Sequence, residues 1–426
     1  MPRPARNFSV AAFVLVVVAC TDLTNLKQSN PGQLSTGTLY VPANAQLLVN
    51  GAISDFECAY SRYVVGTGVL GDELVNAIAN VANIDYDRRT IQTNAPYGTG
   101  TCATGNQQAA IYSPLSTARG SADTVLARLR SWADADVPNR TKLIGQSAAY
   151  AGYSIVLLGE SMCSAAINVG PELTPAQLFA EAKLRFDAAV LAATTANDAT
   201  TLNLALLGRA RAQLDLGNFA AAATDAAAIP ATFVVNSSPD AVNVRRQNWV
   251  FVSTTQSFWA SIDPSFRTVT INGAPDPRVL VTNSGKTGTA ANTPIWTADK
   301  YPQLTTPIPV ARYAEAQLII AEAKVASGDL TGAAAAINAA RNTRAGLPAY
   351  DPAGQTSAQV LAQVIEERRR ELFLEGHRFG DVRRYNLPLL PAPGAPYVSG
   401  GTYGDQKCFP LPDAERINNP NIPKGP

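Results

Sequence analysis

The 426-residue chain has a formal net charge of +1, with 16% charged, 46% hydrophobic and 7% aromatic residues. So small and balanced a charge argues against nucleic acid or a polybasic membrane patch, since both modes of binding recruit a strongly cationic surface. Recognition must rest on local chemistry, and the length permits a large buried core.

At the N-terminus, Arg3 and Arg6 precede an apolar run from Val10 to Ala19, shorter than the ~20 residues of a membrane-spanning helix. Val17, Val18 and Ala19 then place small or branched side chains before Cys20. The pattern predicts a lipoprotein signal peptide over residues 1–19, with an ordinary secretion signal as the alternative. Cleavage before Cys20 would free its thiol and amine for acylation, supplying the two or more chains that stable anchoring requires. Thr21, not an aspartate, follows the cysteine, which points to the outer membrane, facing the cell surface. Residues 20–42, rich in Thr, Asn, Ser, Gln, Gly and Pro, read as a tether. Beyond it no apolar run approaches 18 residues, so residues 43–426 read as one tethered body.

Helical periodicity runs from Asn44 to Ser61, Gly120 to Ala133, Asn139 to Glu160, Pro175 to Ala193, Thr200 to Leu216 and Phe219 to Ala228. These segments predict a helical scaffold over 43–228, resumed over 310–385. Tyr86 and Tyr97 flank a polar stretch before a Gly, Thr and Cys loop at 98–104. Setting Cys20 aside, Cys58, Cys102, Cys163 and Cys408 form an even set suited to disulfides in an oxidising compartment. Three pairings are open; Cys58 and Cys102 bracket one irregular segment, which favours that pair and leaves Cys163 with Cys408. A zinc site is the rival reading, but there is no C-x-x-C and only one histidine, His377. No metal or cofactor is expected.

Residues 229–309 break the helical pattern with Pro, Asn and Gly turns and short β-like runs from Trp249 to Ser253 and Arg267 to Asn272. An irregular stretch far beyond ~15 residues usually carries function. Three of the four tryptophans lie here, Trp249, Trp259 and Trp296, with Tyr301 and polar residues such as Asp263 and Asp299 nearby. An aromatic ring beside hydrogen-bonding side chains suits a sugar, whose C–H face stacks while its hydroxyls are bonded. Trp249 sits in an alternating NWVFVS run that equally suits a buried strand.

After the insertion, Ala314, Leu318, Ala321 and Val325 share one helix face, Gly328 breaks the pattern, and Ala333, Ile337 and Ala340 resume it. Small residues at such positions let two helices approach closely around a Gly turn, as in a tetratricopeptide hairpin. LLGRARAQLDLGNFAAAATDAAAIP repeats this pattern earlier, with Gly217 equivalent to Gly328. The charged run Glu366 to Arg384 has helical spacing that predicts ion pairs along a surface or between hairpins, such as Glu366 with Arg370. His377 at the helix exit is expected to bond terminal carbonyls and to favour its charged form.

Four segments in this order, PIPVARYAEAQLIIAEA from Pro307, INAARNTRAGL from Ile337, ERRRELFLEGHRFGDVRRY from Glu367 and CFPLPDAERINNPN from Cys408, resemble the SusD/RagB family of outer-membrane nutrient-binding lipoproteins. The resemblance is concentrated in the last 120 or so residues. It implies a mainly α fold: a tetratricopeptide-like hairpin scaffold, a loop-rich insertion at 229–309 with short strands, and a C-terminal loop segment at 386–426. It further implies capture of a glycan or other oligomeric nutrient for a SusC-like TonB-dependent transporter. Asp72 and Glu73 resemble an acidic pair that the family shows near a binding loop, although Asp72 equally suits a helix cap. Trp259, Trp296, Trp249, Tyr301, Asp72 and Tyr86 are therefore the candidate ligand residues, and no catalytic residue is expected. The alternatives are an envelope scaffold that binds only protein, and a glycosidase using two carboxylates roughly 5 to 9 Å apart.

Overall fold

The computed structural model describes residues 36–102 and 110–423. The signal peptide, Cys20 and most of the tether lie outside the described residues.

The architecture is mainly α. Helix α1 (Ala45–Leu70) is followed by α2 (Val81–Arg88), α3 (Tyr112–Ser131), α4 (Arg140–Ser161), α5 (Pro175–Thr195), α6 (Ala199–Asp215) and α7 (Phe219–Ala227). The C-terminal half adds α8 (Tyr313–Ala326), α9 (Leu330–Arg341), α10 (Ser357–Glu371) and α11 (Arg378–Arg384). Helix α1 runs nine residues past its expected end at Ser61. Its extension, RYVVGTGVL, contains glycines and β-branched residues that disfavour isolated helix, but every residue from Phe56 to Leu70 is buried, and that burial overrides propensity.

Glycines set how closely the helices pack. A Cβ on Gly152 or Gly159 of α4 would stand 2.8 and 2.5 Å from the rings of Phe186 and Phe179 of α5, and one on Gly208 of α6 would stand 2.3 Å from Phe186. The bare backbone is what lets these rings wedge between helices. Gly217 and Gly328 both adopt positive φ, at 75° and 79°, in the turns joining α6 to α7 and α8 to α9, and Asp329 caps α9 by accepting the Gly332 N–H at 2.8 Å. Thr174 and Thr356 open α5 and α10 with matching capping boxes, to Gln177 and Gln359. The largest apolar core draws on residues from Phe56 to Ile422.

Short strands of the insertion pair with one another and with strands on either side of it: β1 (Leu74–Asn76) precedes the insertion, β2 (Val234–Asn236), β3 (Ala260–Ile262), β4 (Val281–Thr287) and β5 (Pro294–Ala298) lie in it, and β6 (Pro309–Arg312) closes it. β1 pairs antiparallel with β3, placing Leu74 opposite Ile262, and β4 pairs with β5, placing Asn283 opposite Trp296. The Ser261 hydroxyl joins the two ribbons by accepting the Trp296 N–H at 2.9 Å and donating to the Pro294 carbonyl at 2.7 Å. The expected strand from Trp249 to Ser253 is instead helical: Trp249–Phe251 forms a turn that leads into a wider one at Val252–Gln256. Asn248 decides this, because its side chain accepts the N–H groups of Val250 and Phe251. In the expected strand from Arg267 to Asn272, only Thr270–Ile271 pairs.

Disulfides tie outlying segments to the scaffold. Cys58 of α1 pairs with Cys102, and Cys163 after α4 pairs with Cys408 in the C-terminal segment.

Candidate functional site

The joined ribbons β1, β3, β5 and β4 carry a polar face assembled from three distant parts of the chain. Asp72 precedes β1 with φ at 60°, and its carboxylate accepts the Leu390 N–H at 2.9 Å. Asp87, in the last turn of α2, accepts the Asn76 N–H at 3.0 Å and the Tyr397 hydroxyl at 2.9 Å. Asp263 follows β3 and accepts the Ser265 N–H at 2.7 Å. Arg89 lies 4.7 Å from the centre of the Tyr403 ring and donates to the Pro391 carbonyl, while its Nε and Nη1 find no partner among the described residues. Arg267 bonds the Ile262 carbonyl at 2.9 Å and stands 5.6 Å over the half-buried Trp296 ring.

None of Asp72, Asp87 and Asp263 has an ion-pair partner among the described residues. Burial pushes Asp72 up to about 6 and Asp87 up to about 7, and the nearby carboxylates add to both shifts. Asp263 is raised by burial as well. Glu73, buried behind the face, is raised to about 7 by burial and accepts the Leu374 N–H at 2.8 Å. Carboxyl groups that are partly protonated near neutrality can both donate to and accept from hydroxyls, and Trp296 adds an apolar platform beside them. This is the chemistry of polyol recognition.

Most of the aromatic residues expected at the site are elsewhere. Trp249, Trp259, Tyr301 and Tyr86 are 6%, 2%, 1% and 1% exposed, so they are core residues and present no free face. The Arg62 guanidinium covers Trp249 at 4.2 Å. Trp259 is held by its backbone, which donates to Ser253 at 3.0 Å and accepts from Ala77 at 2.9 Å. Tyr301 donates its hydroxyl to the Leu374 carbonyl at 3.0 Å, and Tyr86 stacks edge-on against Phe409. Of the four, Trp259 comes nearest the face, as the residue before β3. Asp72 caps the Leu390 amide and no helix. Cys20 lies outside the described residues. Asp87, Arg89, Arg267, Tyr397 and Tyr403 carry no motif that would single them out; only the aromatic and charged character of DYDRR was visible, and pairing with segments some 300 residues away reveals it.

The charged run also differs from expectation. Glu366 does bond Arg370, at 2.6 Å, but its neighbours form a buried lattice: Glu367 with Arg278 and Arg341 at 2.5 Å each, Arg368 with Asp381 at 2.8 Å, and Glu371 with Arg312 at 2.7 Å. His377 is 4% exposed. Burial and the adjacent Arg211 hold its pKa well below the usual range, which reverses the expected charged form.

Residues 291–423 match the sequence profile of the SusD family. Over that stretch, about the last third of the chain, the sequence is similar to the SusD family. Solved SusD-like structures share the fold along nearly their whole length. A SusD-like carbohydrate binding protein from Bacteroides vulgatus is 16% identical over 90% of this chain and 97% of its own, with a TM-score of 0.65. A SusD superfamily protein from Bacteroides fragilis is 14% identical over 90% and 99%, with a TM-score of 0.66. Surface glycan-binding protein A from Bacteroides uniformis is 15% identical over 89% and 98%, with a TM-score of 0.64. No curated protein matches the chain. The matched segment includes Trp296, Tyr397 and Tyr403 of the strand face, whereas Asp72, Asp87, Arg89 and Asp263 precede it.

Proposed function

We propose that this chain is a surface lipoprotein that captures an oligosaccharide on the strand face and passes it to a TonB-dependent outer-membrane transporter. The observation that carries the reading is the union, on one face, of the half-buried Trp296, the stacked Arg267, and a group of carboxyls with no ion-pair partner. Its support is chemical: a stacking surface next to donors and acceptors, held by short strands over a rigid helical core. The SusD family match over residues 291–423 and the surface glycan-binding proteins that share the fold agree with it. The Cys20 lipid anchor completes the proposal, and no described helix is long and apolar enough to cross a membrane.

Capture here needs no bond-making. The paired backbone holds Trp296 and the carboxyls in place, so the ligand meets a preformed surface and little ordering entropy opposes binding. Affinity electrophoresis of residues 21–426 against a polysaccharide panel, followed by calorimetry, tests the reading. Retention by a glycan that is lost on Trp296→Ala supports it; retention unchanged by Trp296→Ala moves the site elsewhere. A reducing-sugar assay on the same mixtures separates capture from hydrolysis, since release of sugar would replace the binding role with a carboxylate-based glycosidase.

A further inference from the structure

A second cleft, outside the strand face, lies between the insertion and the C-terminal hairpin. It encloses about 390 Å³, within the ~300–1,000 Å³ of small-ligand sites. Its walls are the Thr270–Asn272 tip of the short β-hairpin, the loop from Pro348 to Gln355, and the face of α10 that bears Gln363 and Glu366.

The floor of this cleft is charged but compensated. Glu367 accepts from Arg341 at 2.5 Å and from Gln363 at 2.6 Å, and Arg341 also donates to the Pro348 carbonyl at 2.7 Å. Arg370 binds Glu366 at 2.6 Å and the Thr270 carbonyl at 2.8 Å. With each cation matched, the cleft offers no excess positive charge to recruit an anion. What remains is hydrogen-bonding and carries no free cation among the described residues: the exposed Asn272 amide, the Asp351 carboxylate that accepts the Ala353 N–H at 3.0 Å, the half-buried Tyr350 ring with its hydroxyl on Gln355 at 2.6 Å, and Gln363. Such a lining, rich in donors and acceptors and without a free cation, fits a neutral polyhydroxylated ligand better than an anion.

Position strengthens the case. The segment 263–276 borders both sites: Asp263 and Arg267 belong to the strand face, and Thr270 and Asn272 to the cleft. Arg369 and Arg370 clamp this segment onto α10 through the carbonyls of Ser265 and Thr270. We infer that the cleft is a second saccharide subsite, which takes the continuation of a neutral glycan chain whose first units rest on the strand face. This rests on the capture reading above, and the test separates the two.

Calorimetry with maltohexaose, cellohexaose, xylohexaose, mannohexaose and laminarihexaose would compare the parent chain with three variants. Ala349→Trp fills the cleft from an exposed position, Asn272→Ala removes one rim amide, and Trp296→Ala disables the strand face. The expected result is that the hexaose bound by the parent binds roughly tenfold more weakly to Ala349→Trp and a few-fold more weakly to Asn272→Ala, with unchanged thermal unfolding. Loss of binding in Trp296→Ala alone, with Ala349→Trp and Asn272→Ala at parental affinity, overturns the cleft and leaves capture standing. Absence of binding by every hexaose to the parent overturns capture and the cleft with it.

Discussion

The helical scaffold and the strand face bury acidic groups to similar depth and treat them in opposite ways. In the scaffold, burial alone would raise Glu375, Glu367 and Asp381, but cationic partners hold all three below the usual carboxylate range: Arg312 with Lys300 for Glu375, Arg341 with Arg278 for Glu367, and Arg368 with Arg384 for Asp381. On the strand face, Asp72, Asp87 and Asp263 have no such partner and are raised. Pairing, more than depth, decides the ionisation of a buried acid. Glu315 shows the same rule inside the scaffold: its nearest arginine, Arg211, stands 3.9 Å away and is committed to Glu160 at 2.6 Å, and burial raises Glu315 to about 7. A lattice of satisfied pairs fixes helices, whereas Asp72, Asp87 and Asp263 are held by hydrogen bonds alone.

The sharpest way to break this contrast is to take the main guanidinium partner from a paired acid. Arg312→Met would take from Glu371 and Glu375 the arginine that bonds them at 2.7 and 2.8 Å, leaving Glu371 only Arg344 at 3.5 Å and Glu375 only Lys300 among the described residues, and should cost about 3 kcal/mol in denaturant unfolding. A loss below 1 kcal/mol would show that the lattice contributes little beyond packing.

Next comes the contrast between tryptophans. Trp259→Ala should destabilise the fold by about 3–5 kcal/mol, as expected for a buried aromatic. Trp296→Ala should weaken glycan binding by roughly fivefold, in line with ~1 kcal/mol of stacking, and leave unfolding much less affected. Equal stability losses in the two variants would refute the assignment of one to core and the other to surface.

The pH dependence of stability separates the regions by sign. The Asp87 pKa is raised in the folded state, from near 4 to about 7, so its stabilisation is complete below pH 4 and is lost as pH rises toward 7. The depressed acids of the scaffold act the other way: their contribution is present above pH 4 and is lost as pH falls through their folded values. Asp87→Asn should therefore flatten the decline between pH 4 and 7 by on the order of 2 kcal/mol, read from urea midpoints across that range. The smallest effect is expected from Arg267→Ala, which removes an arginine 5.6 Å above the Trp296 ring: about 0.5–1 kcal/mol of glycan affinity, with unfolding nearly unchanged.

The sequence alone determined the helical hairpins, their equivalent Gly turns, the even set of cysteines and the family resemblance of the C-terminal third. Each of these is written in neighbouring residues: helical period, and small side chains beside a glycine. Only the tertiary structure decided which aromatics reach the surface and which acids lack a partner. Trp259 and Trp296 stand in similar polar surroundings along the chain, yet one is buried before β3 and the other half-exposed on β5, because strand pairing across the insertion sets the face each side chain occupies. Asp87 is ordinary in sequence and becomes distinctive where it meets Asn76 and Tyr397, the latter some 300 residues away. Local pattern encodes secondary structure, but burial and ionisation depend on contacts between distant segments, which only the folded chain brings together.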